Sequence, residues 1–577
     1  MASEKSQSGQ RRRPGPSPRR EFREHLFHQL PEYAGPYSVG VMEIEVPVRQ
    51  PRTFSRIKRN HVHALRMDTV LFSLFYPCDS SSYATKKKEG KKPSKVTWLP
   101  RPRALTSKGY AKFFDTPHFP VTAYIAATTM FTKLPAFRNA KLAGTRAGDA
   151  TSSPHASASA SASSSTSRSQ DTLTESGVVG GKPTFPVIFF SHGLGGSRTC
   201  CSTVCGELAS NGFVVVAMEH RDGSGARSYV NIPPSGNLAA GLEMDNTNPE
   251  RYYKVDYVFP RDNPLDTSPH NPKGVDIALR HAQIDMRMSE IEEAYCVLQL
   301  LNDGQGGLIY RNNLRKSGNA GSSSKGLEGI DWSEWEGKLH LRNVTIMGHS
   351  FGGATSVEMA RQDDRFPYIG QGILLDAWAS ATPRMGEMTH QSLRKPLLAI
   401  TSEAFMHWPD NFARMSDIIR EARDSGAPCW MLTVKGSTHL SQTDFAILYP
   451  RWMSMFIKTL VNPRRAVYLT VNSALEFLSR VLPSECTKGN GWVDEGILRT
   501  KPLTDELPRN YRPDDKYMAS RLKIPNEFKL RAGNWVRRKP KASAVATDIK
   551  GKPLIGLVRF APGNEVWMHF SPDQEEQ

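Results

Sequence analysis

Residues 344–353 read VTIMGHSFGG, and they give the clearest indication of how the 577-residue chain folds. Four apolar or β-branched residues predict a buried strand, the pattern G-x-S-x-G follows directly, and a helical pattern follows the glycines. A sharp turn from strand into helix exposes the central serine at the end of a sheet, and the flanking glycines let the two segments approach closely. A glycine-rich turn without chemistry is the alternative, but the strand before it and the helix after it favour a nucleophile elbow at Ser350.

Eight short runs of apolar and β-branched residues predict the strands around this turn. They are residues 41–48, 70–75, 187–190, 214–218, 344–347, 372–375, 397–401 and 430–434. From the third run onward they are continuously apolar, which is typical of parallel strands buried on both faces. Helical stretches separate most of them, the clearest at residues 277–298, whereas the first two runs lack such a helix and predict an antiparallel edge. The sequence therefore predicts an α/β protein with the α/β-hydrolase fold, a mostly parallel eight-stranded sheet with helices on both faces.

The domain organisation follows from where these patterns stop. Residues 36–480 contain the strand and helix patterns and form the predicted catalytic domain. Tracts rich in Ser, Ala and Gly cannot bury a core, and they predict low-complexity insertions at about 141–182 and 303–330. Residues 1–35 are typical of a disordered basic arm, and residues 481–577 of a basic, partly disordered C-terminal extension.

The net charge of +18, and where the charged residues lie, limit the kinds of molecule that the chain is expected to bind. The basic residues crowd into the two ends of the chain instead of following aromatic residues across one folded element, which argues against a nucleic-acid-binding protein. They favour solubility or attraction to an anionic surface, such as that of anionic phospholipid headgroups. The seven cysteines fit neither a disulfide framework nor a zinc site.

No segment of the sequence predicts secretion or membrane insertion. The basic N-terminus is not followed by the apolar core of a signal peptide, and no apolar run reaches the roughly 18 residues that a membrane span requires. We therefore expect a cytoplasmic protein, with peripheral membrane contact left open. The sequence gives no indication of an oligomeric state.

A serine hydroxyl needs a base, because it is a poor nucleophile at neutral pH. In this fold the base comes from a loop after the last strand, and His439 follows the final predicted strand by a few residues. Three other histidines are weaker candidates. His349 is fixed inside the turn beside the serine, while His390 and His407 precede the last strand. The sequence therefore predicts His439 as the general base.

The acid that orients this histidine is less sharply defined by the pattern. Asp376 ends a buried strand, where a carboxylate without a partner is costly, and an imidazole would be such a partner. Glu403 and Asp410 follow the next strand, where many hydrolases of this fold carry their acid. This reasoning favours Asp376 and leaves the other two open, together with structural roles such as helix capping.

Two backbone N–H groups are needed to hold the negative oxygen that forms during acyl transfer. One comes from the residue after the nucleophile, Phe351, and the other from the loop after the third predicted strand. That loop reads SHGLGG at residues 191–196, and its glycines let the Leu194 amide turn toward a substrate. A phosphate-binding loop is disfavoured, because neither G-x-G-x-x-G nor the Lys-Ser/Thr ending is present.

Together these motifs resemble one family, the platelet-activating factor acetylhydrolases of the plasma and intracellular isoform II type. The matching segments are FYP at 75–77, SHGLG at 191–195, ELASNGFVV at 207–215, EHRD at 219–222, GHSFGG at 348–353, LDAW at 375–378 and GSTH at 436–439. The resemblance runs from about residue 37 to about residue 460. The insertions and the region after residue 483 depart from the family, which indicates a fungal-like or otherwise divergent member.

The resemblance implies calcium-independent hydrolysis of the sn-2 acyl ester of phospholipids, with a preference for acetyl and for short or oxidised chains. It implies a triad that falls on Ser350, Asp376 and His439, and oxyanion donors at Leu194 and Phe351. Neither a metal nor another cofactor takes part in this scheme. The implied partner is a phospholipid substrate such as 1-alkyl-2-acetylglycerophosphocholine.

Two other functions stay open at this point. A general carboxylesterase or lipase would use the same residues, whereas a hydrolase-like binding protein would have lost activity, although every predicted catalytic position is filled. Because phospholipid lies in an interface, the apolar segments at residues 121–130 and 452–457 are candidate membrane contacts. A core-facing helix is the more frequent role of such segments.

Overall fold

The structure is a computed structural model in which a large α/β unit holds most of the chain. The described residues are 28–59, 62–79, 94–115, 117–144, 184–233, 252–269, 271–316, 326–383, 392–457, 459–487, 492, 494–503 and 565–572. The predicted arm up to residue 27, residues 145–182 and 317–325 of the two predicted insertions, and residues 504–564 of the predicted extension lie outside them.

In the part of the chain that the structure describes, fifteen strands form one large sheet and two small ribbons. The strands are β1 Ser38–Thr53, β2 Lys58–Arg59, β3 Val62–His63, β4 Arg66–Cys78, β5 Lys95–Thr97, β6 Lys133–Arg138, β7 Phe185–Ser191, β8 Val214–Met218, β9 Arg227–Asn231, β10 Tyr252–Asp256, β11 Leu339–His349, β12 Ile369–Leu375, β13 Leu397–Ser402, β14 Cys429–Val434 and β15 Val566–Phe570. Within the described residues the large sheet has the order β15-β14-β13-β12-β11-β7-β8-β4-β1-β6-β5. The six strands from β14 to β8 are all parallel to one another.

The sheet confirms the predicted fold class and is larger than predicted. Each of the eight predicted runs lies within a strand of the large sheet, but the short strands β5 and β6 and the distant strand β15 raise the count to eleven in the described part of the chain. The first two runs do pair antiparallel, as β1 and β4. Their prediction as the edge was wrong, because β6 pairs with the outer side of β1.

Helices cover both faces of the sheet, as predicted. In the described residues they are α1 Arg103–Phe113, α2 His118–Thr129, α3 Ser202–Ser210, α4 Ile277–Asn302, α5 Gly306–Asn312, α6 Phe351–Arg361, α7 Glu403–Met406, α8 Pro409–Asp424, α9 Asp444–Leu448, α10 Pro450–Ile457, α11 Pro463–Val481 and α12 Ser484–Thr487. Alternate residues of β8 enter two cores: Val215 packs in the core that includes α3 and α11, and Val214 in the core that includes α4. No helix of the described ranges is long and apolar enough to cross a bilayer.

The parallel arrangement brings five strand ends to one edge of the sheet. Gly348 lies opposite Ser191 in the register of β11 and β7, and His349 lies opposite Leu375 in the register of β11 and β12. On the other side, β13 and β14 end together, with Ser402 opposite Val434. The loops that leave these strands therefore meet at the carboxyl edge, where open α/β sheets bind their ligands.

The region after residue 480, predicted as an extension, supplies the last strand of this sheet. β15 pairs antiparallel with β14, and the Lys435 N–H donates to the Glu565 carbonyl at 2.9 Å. Arg465 of α11 binds the Glu565 carboxylate, with its Nε 2.8 Å from Oε1. The pairing of β15 with β14 ties residues 565–570 to the strand that leads into the His439 loop. The domain boundaries themselves stay predictions.

Candidate active site

Ser350 lies at a strained turn between β11 and α6. Its φ is 58° and its ψ is −119°, a combination that L-residues other than glycine rarely adopt. The glycines on either side are required by packing, because a Cβ at Gly348 would lie 2.1 Å from the Gly352 carbonyl oxygen, and one at Gly352 would lie 2.0 Å from that of Ser191. The Ser350 N–H donates to the Leu375 carbonyl at 2.9 Å, which fixes the turn against the end of β12.

The three residues predicted as a triad are brought together at this edge. His439 Nε2 lies 2.9 Å from Ser350 Oγ, and His439 Nδ1 lies 2.7 Å from Asp376 Oδ2. The Asp376 side chain is fully buried and the His439 side chain is 11% exposed, so the imidazole lies nearer to solvent than the carboxylate that it contacts. Since Asp376 accepts from Nδ1, the tautomer leaves Nε2 free to accept the Ser350 hydroxyl proton.

The carboxylate of Asp376 has further donors that compensate for its burial. Ser402, the last residue of β13, donates to it through its N–H at 2.6 Å and through its Oγ at 2.7 Å. The two rival acids have other positions: Glu403 accepts a hydrogen bond from the Gly436 N–H at 2.6 Å, and Asp410 is exposed in the first turn of α8. Three donors around Asp376 offset the cost of removing this charge from water.

The imidazole of His439 lies between two rings. The Phe405 ring is stacked on one side at 4.3 Å between centroids and 1° between planes, and the His349 ring is on the other at 4.7 Å and 27°. His349 Nε2 also donates to the His439 carbonyl at 3.0 Å. Burial lowers the pKa of His349 to about 3, and the neighbouring His439 contributes to the shift, so His349 is neutral at physiological pH. The remaining rivals do not enter this arrangement: His407 follows α7 as its C-cap, and His390 lies outside the described residues.

The two predicted oxyanion donors flank Ser350. Gly193 packs directly against the nucleophile, since a Cβ there would lie 2.6 Å from Ser350 Cβ. The Gly193 carbonyl accepts from the Gly196 N–H at 3.0 Å and from His192 Nδ1 at 2.9 Å, so the Leu194 N–H of the same trans peptide points the opposite way.

The second predicted donor lies at the start of a helix. Phe351 is the first residue of α6, so its N–H has no acceptor in a preceding turn. In the described part of the chain, the Leu194 N–H also donates to no backbone carbonyl.

A cavity of about 440 Å³ opens beside Ser350. Most of its walls are apolar or aromatic, with contributions from Phe113, Tyr124, Trp378, Trp408 and Phe445. Such a cavity suits an apolar ligand that presents one polar group to the serine. Among the described residues, no cluster of three or more His, Cys, Asp or Glu side chains is arranged to hold a metal ion.

A family model described as platelet-activating factor acetylhydrolase, isoform II, matches residues 158–496, which is more than half of the chain. The chain belongs to this family. A platelet-activating factor acetylhydrolase of Gallus gallus is 29% identical over 306 residues, which cover 52% of this chain and 62% of that protein. The one of Bos taurus is 30% identical over 300 residues and covers 52% and 57%. The chain therefore matches about three-fifths of the length of these acetylhydrolases.

A relative with a longer match comes from Schizosaccharomyces pombe and is named "Putative phospholipase A2". It is 25% identical over 489 residues, which cover 78% of this chain and 91% of that protein. The match to this relative extends along the chain on both sides of the Ser350 turn.

Several side chains of this acetylhydrolase-family site carry no signal in the sequence. Ser402 and Phe405 lie in or directly after β13, and their contacts with Asp376 and His439 join residues that are far apart in the chain. His349 was weighed as a rival base, and its observed contact is with the His439 carbonyl. Such contacts depend on the order of the strands in the sheet, and a local sequence pattern does not indicate that order.

The neutral state of His349 predicts a pH-dependent stability. A histidine has a pKa near 6.5 in an unfolded chain and about 3 here, so the unfolded chain binds more protons as the pH falls below 6.5. The stability contributed by neutral His349 is therefore complete above pH 6.5, and it is lost as the pH falls from 6.5 towards 3. Between pH 7.5 and pH 5, we expect the loss from this residue to be about 2 kcal/mol.

His349→Gln provides the comparison, because its Nε2 can still donate to the His439 carbonyl but does not titrate. Urea unfolding at both pH values should show a smaller decrease in the free energy of unfolding for this variant than for the wild type. An equal decrease in the two proteins would mean that His349 is not held neutral by the fold.

Proposed function

We propose that this protein is a calcium-independent serine esterase of the phospholipase A2 type, which hydrolyses the sn-2 acetyl or short or oxidised acyl ester of phospholipids such as 1-alkyl-2-acetylglycerophosphocholine. One observation carries the proposal: a hydrogen-bonded chain runs from Ser350 through His439 to Asp376 at the wall of an apolar cavity. Membership of the acetylhydrolase family supports the same substrate class.

The proposed reaction begins with the proton of the Ser350 hydroxyl. His439 Nε2 accepts it as Oγ attacks the ester carbonyl, and Asp376 stabilises the imidazolium that forms. The electron pair of the carbonyl moves to its oxygen, and the N–H groups of Leu194 and Phe351 bind this oxyanion. The tetrahedral intermediate then expels the glycerol oxygen, which takes the proton back from His439 and leaves as lysophospholipid.

The second half of the reaction releases the acyl group. Water attacks the acyl-Ser350 ester while His439 accepts one of its protons, and the same two amides bind the second oxyanion. Collapse returns the proton to Ser350 Oγ and releases the free acid. The enzyme is thereby restored without any other reactant.

Ser350→Ala tests the nucleophile. We expect hydrolysis of 1-alkyl-2-acetylglycerophosphocholine in the presence of EDTA to fall by a factor of at least about 10⁴. Ser416→Ala is a matched control, because Ser416 is a buried serine on α8 whose Oγ donates within its own helix to Phe412. The control should keep its rate within about twofold of the wild type.

The same assay separates the competing functions. Phospholipids with acetyl, oxidised and long acyl chains are compared with a water-soluble ester. Turnover of the soluble ester alone would favour a general carboxylesterase, and wild-type protein inactive on all of them would favour a binding protein. A Ser350→Ala variant as active as the wild type would exclude Ser350 as the nucleophile.

We further propose that α2 and α10 bring the cavity to a phospholipid surface, from the cytoplasmic side that the sequence predicts. The two helices lie together at the cavity, since the Tyr124 and Trp452 rings are 5.3 Å apart and both residues line it. Both are partly exposed, and Phe119 at the start of α2 is 85% exposed. Aromatic side chains in such positions favour the interfacial region of a bilayer.

Phe119→Ser tests this contact, because Phe119 does not line the cavity. Loss of one buried phenyl group should weaken binding to phosphatidylcholine vesicles by about tenfold or more, while hydrolysis of the water-soluble ester is unchanged. Tyr310→Ser is the control: Tyr310 is also exposed, and its helix α5 packs in the core on the other face of the sheet. Equal vesicle binding by Phe119→Ser and Tyr310→Ser would count against the proposed contact.

A further inference from the structure

Two separate segments must hold their amides in fixed positions if Ser350 is to act as proposed. One is the loop with Leu194, and the other is the start of α6 with Phe351. We infer that Arg287 of α4 is a positioning residue that holds both segments, an inference that rests on the proposed function. Its guanidinium is fully buried and lies behind the site, so it does not touch the cavity side of the serine.

The guanidinium is bound to the first segment from two directions. Its Nη1 donates to the His192 carbonyl at 2.8 Å, and its Nη2 donates to Ser224 Oγ. The carbonyl of the same Ser224 accepts from the Gly195 N–H at 2.7 Å. The peptide groups before and after the one that contains the Leu194 N–H are therefore both tied to Arg287, one directly and one through Ser224.

The guanidinium also contacts the second segment. Its central carbon lies 4.5 Å from the centre of the Phe351 ring, within the range of a cation–π interaction. The ring is fully buried, and it belongs to the residue whose N–H is the other proposed donor. One planar cation thus lies between the two halves of the oxyanion site.

An ion pair fixes the orientation of this cation. Nε of Arg287 donates to Asp222 Oδ2 at 2.7 Å, and both side chains are fully buried. Three donors on one rigid plane are directed at Asp222, Ser224 and His192. A lysine ammonium could balance the charge of Asp222, but it could not reach all three acceptors in this fork geometry.

The consequence is specific to the transition state. The amides bind the oxyanion more strongly than the neutral ester oxygen, so misplacing them raises the barrier more than it weakens substrate binding. Loss of the Arg287 fork should therefore lower kcat and leave KM nearly unchanged. A residue that only stabilised the fold would instead lower the fraction of folded enzyme.

Arg287→Lys tests this inference, with Arg361→Lys as the matched control. Arg361 is also a buried arginine, paired with Glu358 and Glu421 at the far end of α6. We expect Arg287→Lys to lower kcat about tenfold or more with KM within about twofold, and Arg361→Lys to change neither by more than about twofold. Both are assayed at equal concentrations of folded protein.

A second readout reports on the oxyanion itself. An alkyl trifluoromethyl ketone adds to Ser350 Oγ: the O–C bond forms, the carbonyl pair moves to oxygen, and the proton passes to His439. The affinity of this compound should fall in Arg287→Lys by the same factor as kcat. A kcat equal to that of Arg361→Lys, or a lower kcat with undiminished affinity for the ketone, would overturn the inference.

Ser224→Ala keeps the test decisive if Arg287→Lys does not fold. It removes the acceptor of Nη2, together with the hydrogen bond that Ser224 Oγ donates to Asp222, and it leaves the Arg287–Asp222 ion pair in place. We therefore expect kcat and ketone affinity both to fall severalfold. Unchanged values in this variant would also overturn the inference. Wild-type protein that neither hydrolyses ester nor binds the ketone would overturn the proposed function instead, which distinguishes the two failures.

Discussion

The backbone of Ser350 has a φ of 58°, and the rest of the site depends on how this strain is held. Besides the bonds into its own helix, two backbone hydrogen bonds hold it, from the Ser350 N–H to the Leu375 carbonyl and from the Trp378 N–H to the Ser350 carbonyl. Both partners belong to or follow β12, and Asp376 is the residue directly after this strand. The same segment therefore fixes the nucleophile and carries the acid, and the cost of the turn is offset by packing that positions the hydroxyl before a substrate arrives.

Local patterns predicted much of this architecture because the decisive features are local. Six of the eight predicted strands are continuous apolar runs, and the Ser350 turn has its own motif between a strand and a helix. The rest depends on contacts between distant residues. Strand β5 has only three residues, β6 is interrupted by Pro135 and has a charged residue at each end, and β15 lies more than 130 residues after β14 in the chain. Two further contacts depend on the order of the strands and the placement of the helices: the stacking of Phe405 on His439 and the three hydrogen bonds of the Arg287 guanidinium. The spacing of residues along the sequence does not indicate either of them.

The position of His439 depends on contacts at the start of the short turn that carries it. Glu403 binds the Gly436 N–H, and the Glu565 carbonyl accepts from Lys435, four residues before the histidine. The family match ends at residue 496, so the contact with Glu565 comes from a segment beyond it. A strand from beyond the family match thus pairs with the sheet next to the turn that carries the imidazole. Together with the rings of His349 and Phe405, these contacts restrict the imidazole to the plane in which it meets both Ser350 and Asp376.

A crystal structure of the protein after reaction with an alkyl phosphonate ester tests the roles of Ser350 and the two amides most directly. We expect phosphorus to be bonded to Ser350 Oγ, and the phosphoryl oxygen to lie within hydrogen-bonding distance of both the Leu194 and the Phe351 N–H groups. His439 should stay bound to Asp376 in this adduct. Phosphorus on another residue, or a phosphoryl oxygen directed away from both amides, would contradict these roles.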